Sequence, residues 1–337
     1  MNRVAIVVLN YKGIEDTISC LASLSKQSYE NFKIVLIENG SNDGSAEEFK
    51  KLELQRGGSL HTIYNQKNLG FAGGVNCGIR WAIENEFDYV ALFNNDAVAD
   101  KDWLNELVST AKEKQSGITT GLLLHEDGKT IDSTGDWYTT WGLPFPRNRN
   151  DPSNNAELEG YVFSGSGGAS LFSTAMFKKI GLFDEDFFAY YEDTDLSFRA
   201  QLAGYKVYYQ PKAIAYHKQG ATSSKMPGFA VMQTFKNLPL LLTKNVPNSL
   251  LLKTGTRFWF AYFLMLGHAI KKGNGTPAIK GYFQSIKLFW SGTLAKRKII
   301  QTKKIATDDY IKSILWADLP PDQTGLRKLR KMFTKNA

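Results

Sequence analysis

The sequence predicts an α/β protein with a mainly parallel sheet, followed by a basic, aromatic helical region. Over the first hundred residues, short apolar runs alternate with helix-periodic segments at roughly thirty-residue spacing, the rhythm of βαβ units. Four of those runs end in Asn, Asp, Glu or Ser. The charge also divides: residues 1–228 hold 22 Lys and Arg against 29 Asp and Glu, whereas residues 229–337 hold 19 against 4. Two units are therefore expected, 1–228 and 229–337.

Val4 to Leu9 reads as the first strand, and Ile14, Ile18, Leu21 and Leu24 recur at helical spacing after it. Ile34 to Ile37 is the second strand. Ser45 with Glu48 three residues on predicts a capping box opening a short helix through Leu52. Thr62 to Tyr64 is a third strand, Phe71 to Glu84 a glycine-rich helix, and Tyr89 to Phe93 a fourth strand running into Asn94, Asn95 and Asp96. Asp100 is placed to cap a helix from Trp103 to Lys112. Residues 125–160, rich in Gly, Asn, Pro, Asp and Trp, read as a loop region, and loops of that length are usually functional or mobile. Gly165 to Phe172 predicts a small-residue strand, Lys179 to Gly181 a turn, Thr194 to Ala203 a helix and Lys206 to Tyr209 a last strand.

In the second unit the most apolar segment is Phe258 to Leu266. Charges flank it at Lys253, Arg257 and Lys271, so its uncharged core falls well short of the ~20 residues a membrane span needs. Helices lying at a lipid surface are the favoured reading, and a helical subdomain packed on the first unit is the alternative.

The chain has 337 residues, 43% of them hydrophobic and 22% charged, which excludes general disorder and leaves room for a large core. Two cysteines, Cys20 and Cys77, give neither a disulfide framework nor metal-ligand spacing, so a reducing compartment is expected. The N-terminus reads as a strand, not as a signal peptide. No GxxxxGK[ST] is present, and the first strand leads into LNYKG without GxGxxG, so phosphate-loop and dinucleotide readings lose support.

Ligands of an open parallel sheet gather at the carboxyl ends of the strands. There the chain places Asn10 and Tyr11, then Glu38, Asn39 and Ser41, then Asn65 and Asn68, then Asn94, Asn95 and Asp96. Each alone is a turn former; four consecutive strand ends so furnished suggest a polar ligand. Gly70, Gly73, Gly74 and Gly78 open the third helix, where they either admit a phosphate or allow close packing. A second cluster, Asp184, Glu185, Asp186, Glu192, Asp193 and Asp195, stands among Phe187, Phe188, Tyr190 and Tyr191. Carboxylates among aromatics hold their protons more tightly, which suits a general base. Negative charge at a helix start accounts for Asp195 but not for the aromatic neighbours. On this reading His217, beyond the last strand, has no task.

VAIVVLNYKG, IENGSNDGS, NLGFAGGVNCGI, the NND at 94–96, GSGGASLF and YYEDTDLSFRAQLAGYKV, in that order, resemble the family 2 glycosyltransferases, especially their bacterial rhamnosyltransferase-like branch. The resemblance covers roughly residues 3–220. It implies a GT-A fold, a Rossmann-like mixed sheet flanked by helices, with a dTDP- or UDP-sugar donor, a divalent cation (Mn²⁺ or Mg²⁺) and inversion at the anomeric carbon. Glu38 matches the acidic position at the nucleobase, with Asn10 beside it. Asn39, Asn68, Gly70, Asn76 and Asn95 complete the implied donor contacts. Asp96 matches the last residue of the DxD motif that ligates the cation, and His217 a histidine that can complete the metal site. Asp193 matches the base of the ED motif, with Glu192 next to it. The departure is the NND itself, with one carboxylate where two are usual.

The function expected is transfer of a sugar to a glycan or lipid-linked acceptor in cell-surface polysaccharide synthesis, by a cytoplasmic enzyme peripheral to an anionic membrane face. The alternatives are a catalytically weak nucleotide-sugar binder, and a nucleic-acid module using the basic region. The second of these wants aromatics interleaved with basic residues, whereas here the aromatics cluster in an apolar run.

Overall fold

The computed structural model describes residues 2–156, 158–218 and 226–321, with 323, 325 and 327 beyond them. Residues 328–337 of the expected second unit lie outside the described residues. The elements run β1 (Val4–Asn10), α1 (Ile14–Leu24), β2 (Phe32–Glu38), α2 (Ser45–Arg56), β3 (Leu60–Tyr64), α3 (Gly70–Glu84), β4 (Tyr89–Asn94), β5 (Ala97–Ala99), α4 (Trp103–Lys114) and β6 (Ile118–His125). They continue through β7 (Ile131–Ser133), β8 (Asp136–Tyr138), β9 (Pro144–Pro146), β10 (Gly160–Val162), β11 (Ala169–Ser173), α5 (Thr174–Ile180), α6 (Glu192–Leu202) and β12 (Val207–His217). Then come α7 (Phe229–Asn245), α8 (Asn248–Lys271), α9 (Gly275–Leu288), α10 (Leu294–Thr302) and α11 (Asp308–Ser313).

The main sheet has the order β10-β12-β6-β11-β4-β1-β2-β3, mixed in direction. β1 to β4 are parallel; β11 enters between β4 and β6 antiparallel to both. Alternate residues of β1 face opposite layers, as a strand's two-residue period requires. Val4, Ile6 and Val8 pack with Leu21, Leu24, Trp103 and Leu107 of α1 and α4. Ala5 and Val7 face the other layer, where α3 places Val75 and Ile79. Asn10 pairs in register with Glu38, and Leu9 with Asn94, so the polar strand ends line one edge of the sheet.

The glycines of α3 are points of close approach to their neighbours. A Cβ at Gly74 would stand 2.5 Å from Leu9 Cδ1 and one at Gly78 2.7 Å from Val7 Cγ1, so both serve close packing of α3 on β1. Gly70 has φ +73° and faces the loop at Phe188 instead.

Several local expectations are corrected. The Ser45–Glu48 capping box is not formed: Gly44 is the N-cap, Ser45 N and Oγ turn back to Asp43 Oδ1, and Glu48 pairs with Lys51 at 3.0 Å. Asp100 lies two residues before the N-cap of α4, which is Asp102; its carboxylate accepts from Asp102 N at 3.1 Å. The region 125–160 is not an open loop. It holds β7, the β8–β9 hairpin and the start of β10, and Asp132, Ser133, Thr134, Tyr138 and Thr139 in it are buried. The expected turn at 179–181 is the end of helix α5, closed by Gly181 at φ +84°.

A third core spans the 228/229 division. It joins Tyr138, Phe163, Phe187, Phe198 and Leu202 to Phe235, Leu241, Phe258 and Tyr262 of α7 and α8. Among the described residues no helix is long and apolar enough to cross a membrane.

Candidate active site

A cavity of about 810 Å³ opens at the carboxyl edge of β1, β2 and β4. Its walls come from the ends of β1 and β2 with the start of α3, the turn after β4, the β7–β9 region, the loop before β11, the N-terminus of α6, and α7 and α8.

The turn after β4 feeds β5, which pairs antiparallel with the end of β12 so that Ala97 faces His217. His217 is thus the last residue of an eleven-residue strand, not a residue beyond a short one. The strand passes Pro211 through an irregularity between Gln210 and Ile214. This register brings His217 Nε2 to 3.0 Å from Asp96 Oδ1, while its Nδ1 lies 2.8 Å from Asp132 Oδ2. Arg149 holds Asp132 from the other side at 3.0 Å. A carboxylate on Nδ1 fixes the ring and raises the basicity of Nε2, as is common behind metal-ligating histidines. Burial opposes charge on the imidazole, but the hydrogen bonds to Asp132 and Asp96 outweigh it and raise the pKa to about 9. Asn94 Nδ2 lies 3.2 Å from His217 Nε2, whereas Asn95 Nδ2 turns to Thr17 Oγ1 at 2.9 Å.

Glu192 and Asp193 open α6 and line the same cavity. Asp193 accepts from Gly167 N at 3.0 Å and Thr194 N at 2.7 Å. Burial raises its pKa, and those backbone donors restrain the rise. Glu192 is raised to about 8, first by burial and then by the negative charge of Asp193. Asp136, on β8, is raised by burial and by Asp193. The remaining carboxylates of the second cluster serve structure: Asp184 and Asp195 pair with Lys244, and Asp195 also with Arg199 at 2.9 Å.

On the wall made by the end of β2 and the start of α3 stand Asn39, Asn68 and Gly70. Asn39 Nδ2 donates to Asn68 Oδ1 at 3.1 Å and to Gly70 O at 3.2 Å. Asn10 and Glu38 are buried behind this wall. Glu38 accepts from Ser41 N at 2.6 Å, Ser41 Oγ at 2.9 Å and Asn10 Nδ2 at 3.2 Å. Asn76 lies farther back, its amide exchanging hydrogen bonds with Phe183 N and O.

The cavity therefore gathers Asp96, His217, Glu192, Asp193, Asn39, Asn68, Gly70 and Asn95, and leaves Asn10, Glu38 and Asn76 outside its lining. Sequence reasoning missed Asp132, Asp136 and Arg149, which lie in the stretch read as loop. Their one signal was charge within a segment otherwise made of turn residues.

The family model described as Glycosyl transferase family 2 matches residues 4–181. The low-salt glycan biosynthesis hexosyltransferase Agl10 of Haloferax volcanii is 23% identical over 250 residues, 70% of this chain and 74% of its own. The poly-beta-1,6-N-acetyl-D-glucosamine synthase of Staphylococcus aureus is 28% identical over 207 residues, 60% of this chain but only 46% of its own length. The mannosyltransferase PcManGT of Pyrobaculum calidifontis, solved with GDP-Man and Mn²⁺, superposes with a TM-score of 0.55 at 14% identity, over 93% of this chain and 83% of its own. At that identity the likeness establishes the fold, a GT-A mixed sheet flanked by helices. With the family model covering more than half of the sequence, the chain belongs to glycosyltransferase family 2.

Proposed function

We propose that the protein is an inverting, divalent-cation-dependent hexosyltransferase, moving a sugar from a dTDP- or UDP-sugar to a hydroxyl of a glycan or lipid-linked acceptor in polysaccharide synthesis. One observation carries this reading: Asp96 with His217, and Asp193 with Glu192, line a single cavity although they come from different elements. Displacement needs leaving group and attacker held together. The two pairs supply a place for each.

The residues fit a hard cation. Asp96 Oδ1 and His217 Nε2 stand 3.0 Å apart, the separation of neighbouring ligands around an octahedral ion at about 2.1 Å. Among the described residues no three His, Cys, Asp or Glu side chains form a ready metal cage, so the remaining ligands would be diphosphate oxygens and water. When bound, Mn²⁺ or Mg²⁺ supplies Lewis-acid compensation for the charge on the departing diphosphate.

Asn39, Asn68, Gly70 and Asn95 would receive the donor, with Glu38 and Asn10 shaping the nucleobase end through the Ser41 turn they hold. Asn76 acts from farther back, by seating Phe183. The carboxylate of Asp193 takes the acceptor's hydroxyl proton as that oxygen bonds to the anomeric carbon. The bond from that carbon to the diphosphate oxygen breaks on the opposite face, and its electron pair leaves with the nucleotide. Burial makes Asp193 a stronger base than a free carboxylate, and Gly167 and Thr194 fix its direction. Glu192, protonated at neutral pH, puts no second full charge beside it.

A membrane location is supported by an exposed apolar face on α8 to α10. Trp259 stacks on Phe263, which meets Tyr282, which meets Phe283, and Trp290 is 76% exposed beyond them. Exposed Lys271, Lys280, Lys287 and Lys298 belong to the same helices or their ends. Aromatic rings with surrounding lysines suit an anionic lipid interface.

The test is release of nucleoside diphosphate from a panel of UDP-, dTDP- and GDP-sugars with Mn²⁺ or Mg²⁺. The Asp193→Asn variant is expected to lose about 10²- to 10⁴-fold in turnover. Unchanged turnover in that variant removes Asp193 as the base.

A further inference from the structure

The segment that delivers Glu192 and Asp193 to the cavity is strained. Phe188, Tyr190 and Tyr191 have φ of +63°, +70° and +69°, the left-handed region, and none is glycine. L-residues with large side chains stay there only when their surroundings hold them. Backbone turns hold part of the segment, Phe188 N donating to Glu185 O at 3.1 Å and Ala189 N to Phe187 O at 2.7 Å; α7 adds a side-chain grip on its carbonyls. Asn237 Nδ2 donates to Phe187 O at 3.0 Å, to Ala189 O at 2.8 Å and to Tyr190 O at 2.8 Å. Lys236 Nζ donates to Asp186 O at 2.8 Å and Phe187 O at 3.0 Å. Asn237 is fully buried and Lys236 is 6% exposed. Two adjacent side chains of a helix in the basic region thus grip four carbonyls just ahead of the carboxylate pair. On its other side the loop rests on α3, where Ala72 N donates to Phe188 O at 3.1 Å.

We propose that α7 is part of the transfer apparatus: Lys236 and Asn237 are positioning residues that hold residues 186–191 in the conformation that points Glu192 and Asp193 into the cavity. α7 is itself braced for this. Pro239 lacks the N–H that would bond Phe235 O, and the Tyr262 hydroxyl of α8 takes that carbonyl at 2.7 Å. The inference rests on Asp193 being the base, and it assigns to the second unit a role inside the site.

Asn237→Asp keeps the shape and turns a donor into an acceptor opposite three carbonyls; Lys236→Met keeps the stem and removes the ammonium. Either variant tests the proposal should the other fail to fold. Hydrogen exchange of the full-length protein is expected to quicken at least about tenfold at amides 187–193, with β1 and β4 at wild-type rates. Nucleoside diphosphate release, probed with UDP-, GDP- and dTDP-glucose, should fall about 100-fold in kcat with donor KM within about twofold, the effect of a misplaced group. Wild-type exchange in 187–193 overturns the proposal, as does equal acceleration in β1 and β4, which would make the contact a general prop. Asp193→Asn separates the two readings. If it is inactive while the Asn237 variant keeps its kcat, the clamp alone falls; if it is active while the Asn237 variant loses both kcat and protection, the base assignment alone falls.

Discussion

Replacing Glu192 with glutamine keeps the side chain's shape and removes its proton equilibrium. Glu192 is 7% exposed, and its Oε2 is buried without a hydrogen-bond partner among the described residues. Burial, then the charge of Asp193, raises its pKa from 4.5 to about 8. A carboxyl that holds its proton more tightly in the folded chain costs nothing below the unfolded pKa. Its cost grows as pH rises from about 4.5 and levels off above about 8. A shift of roughly 3.5 units at 1.36 kcal/mol each sets a ceiling near 5 kcal/mol, of which about 3 is felt at pH 7 and about 1 at pH 5. A chain of this length unfolds with an entropy of roughly 0.7 kcal/mol/K. Glu192→Gln is therefore expected to melt about 4 °C above the wild type at pH 7, and only about 1 °C above it at pH 5. The glutamine amide adds an offset of its own, but that offset does not vary with pH. The decisive quantity is the change in the melting difference between pH 5 and pH 8, measured by calorimetry. A difference constant across that range, or one that widens toward acid, refutes the assignment of Glu192 as a desolvated, proton-holding carboxyl.

Two further outcomes are expected. Gly70→Ala puts a Cβ 2.5 Å from Phe188 O at a φ of +73°, so the loop at Phe188 must shift. Turnover should fall at least about tenfold, with a stability loss of about 1–2 kcal/mol by urea titration, and a fully active variant would show that the loop's place against α3 is immaterial. Phe283→Ser with Trp290→Ser, at 63% and 76% exposure, should weaken binding to phosphatidylserine vesicles at low salt by about tenfold or more without moving the melting temperature. Failure of the wild type to bind such vesicles removes the membrane reading.

The parallel half of the sheet was legible because its signals are local. β1 to β4 are apolar runs spaced by helical segments, and their polar ends fall in register once the strands pair. What was hidden depends on distant partners. β6 is Ile-Thr-Thr-Gly-Leu-Leu-Leu-His, whose Gly121 is demanded by Ala213 O, 2.1 Å from where a Cβ would stand, ninety residues on in sequence. β7 to β10 have three residues each, too few to show a period, and take their order from bridges such as Asp136 to Ser164. Asp132 and Asp136 were lost with them. His217 matched a family position, but its partners could not be read until β12 was known to pass Pro211 and reach β5.

The charge division has a physical account that bears on how the second unit should be probed. Part of its positive excess is internal: Lys244 meets Asp184 and, at 2.8 Å, Asp195, while Lys296 meets Asp184 at 2.6 Å and Asp186 at 2.5 Å. Asp195 is fully buried and Asp184 only 9% exposed at its side chain. Lys244 and Lys296 hold Asp184 well below the usual carboxylate range despite its burial, so it is ionised at neutral pH. Removing one partner of a buried ion pair costs about 3–5 kcal/mol. A truncation at residue 228 strips the lysine partners from Asp184, Asp186 and Asp195 at once and uncovers the core around Phe187, Phe198 and Leu202. Loss of activity or of membrane association in such a fragment would report an unfolded catalytic domain, not a missing anchor. Only substitutions on the outward face of α8 to α10, which leave Lys244 and Lys296 in place, separate attachment to a surface from assembly of the site.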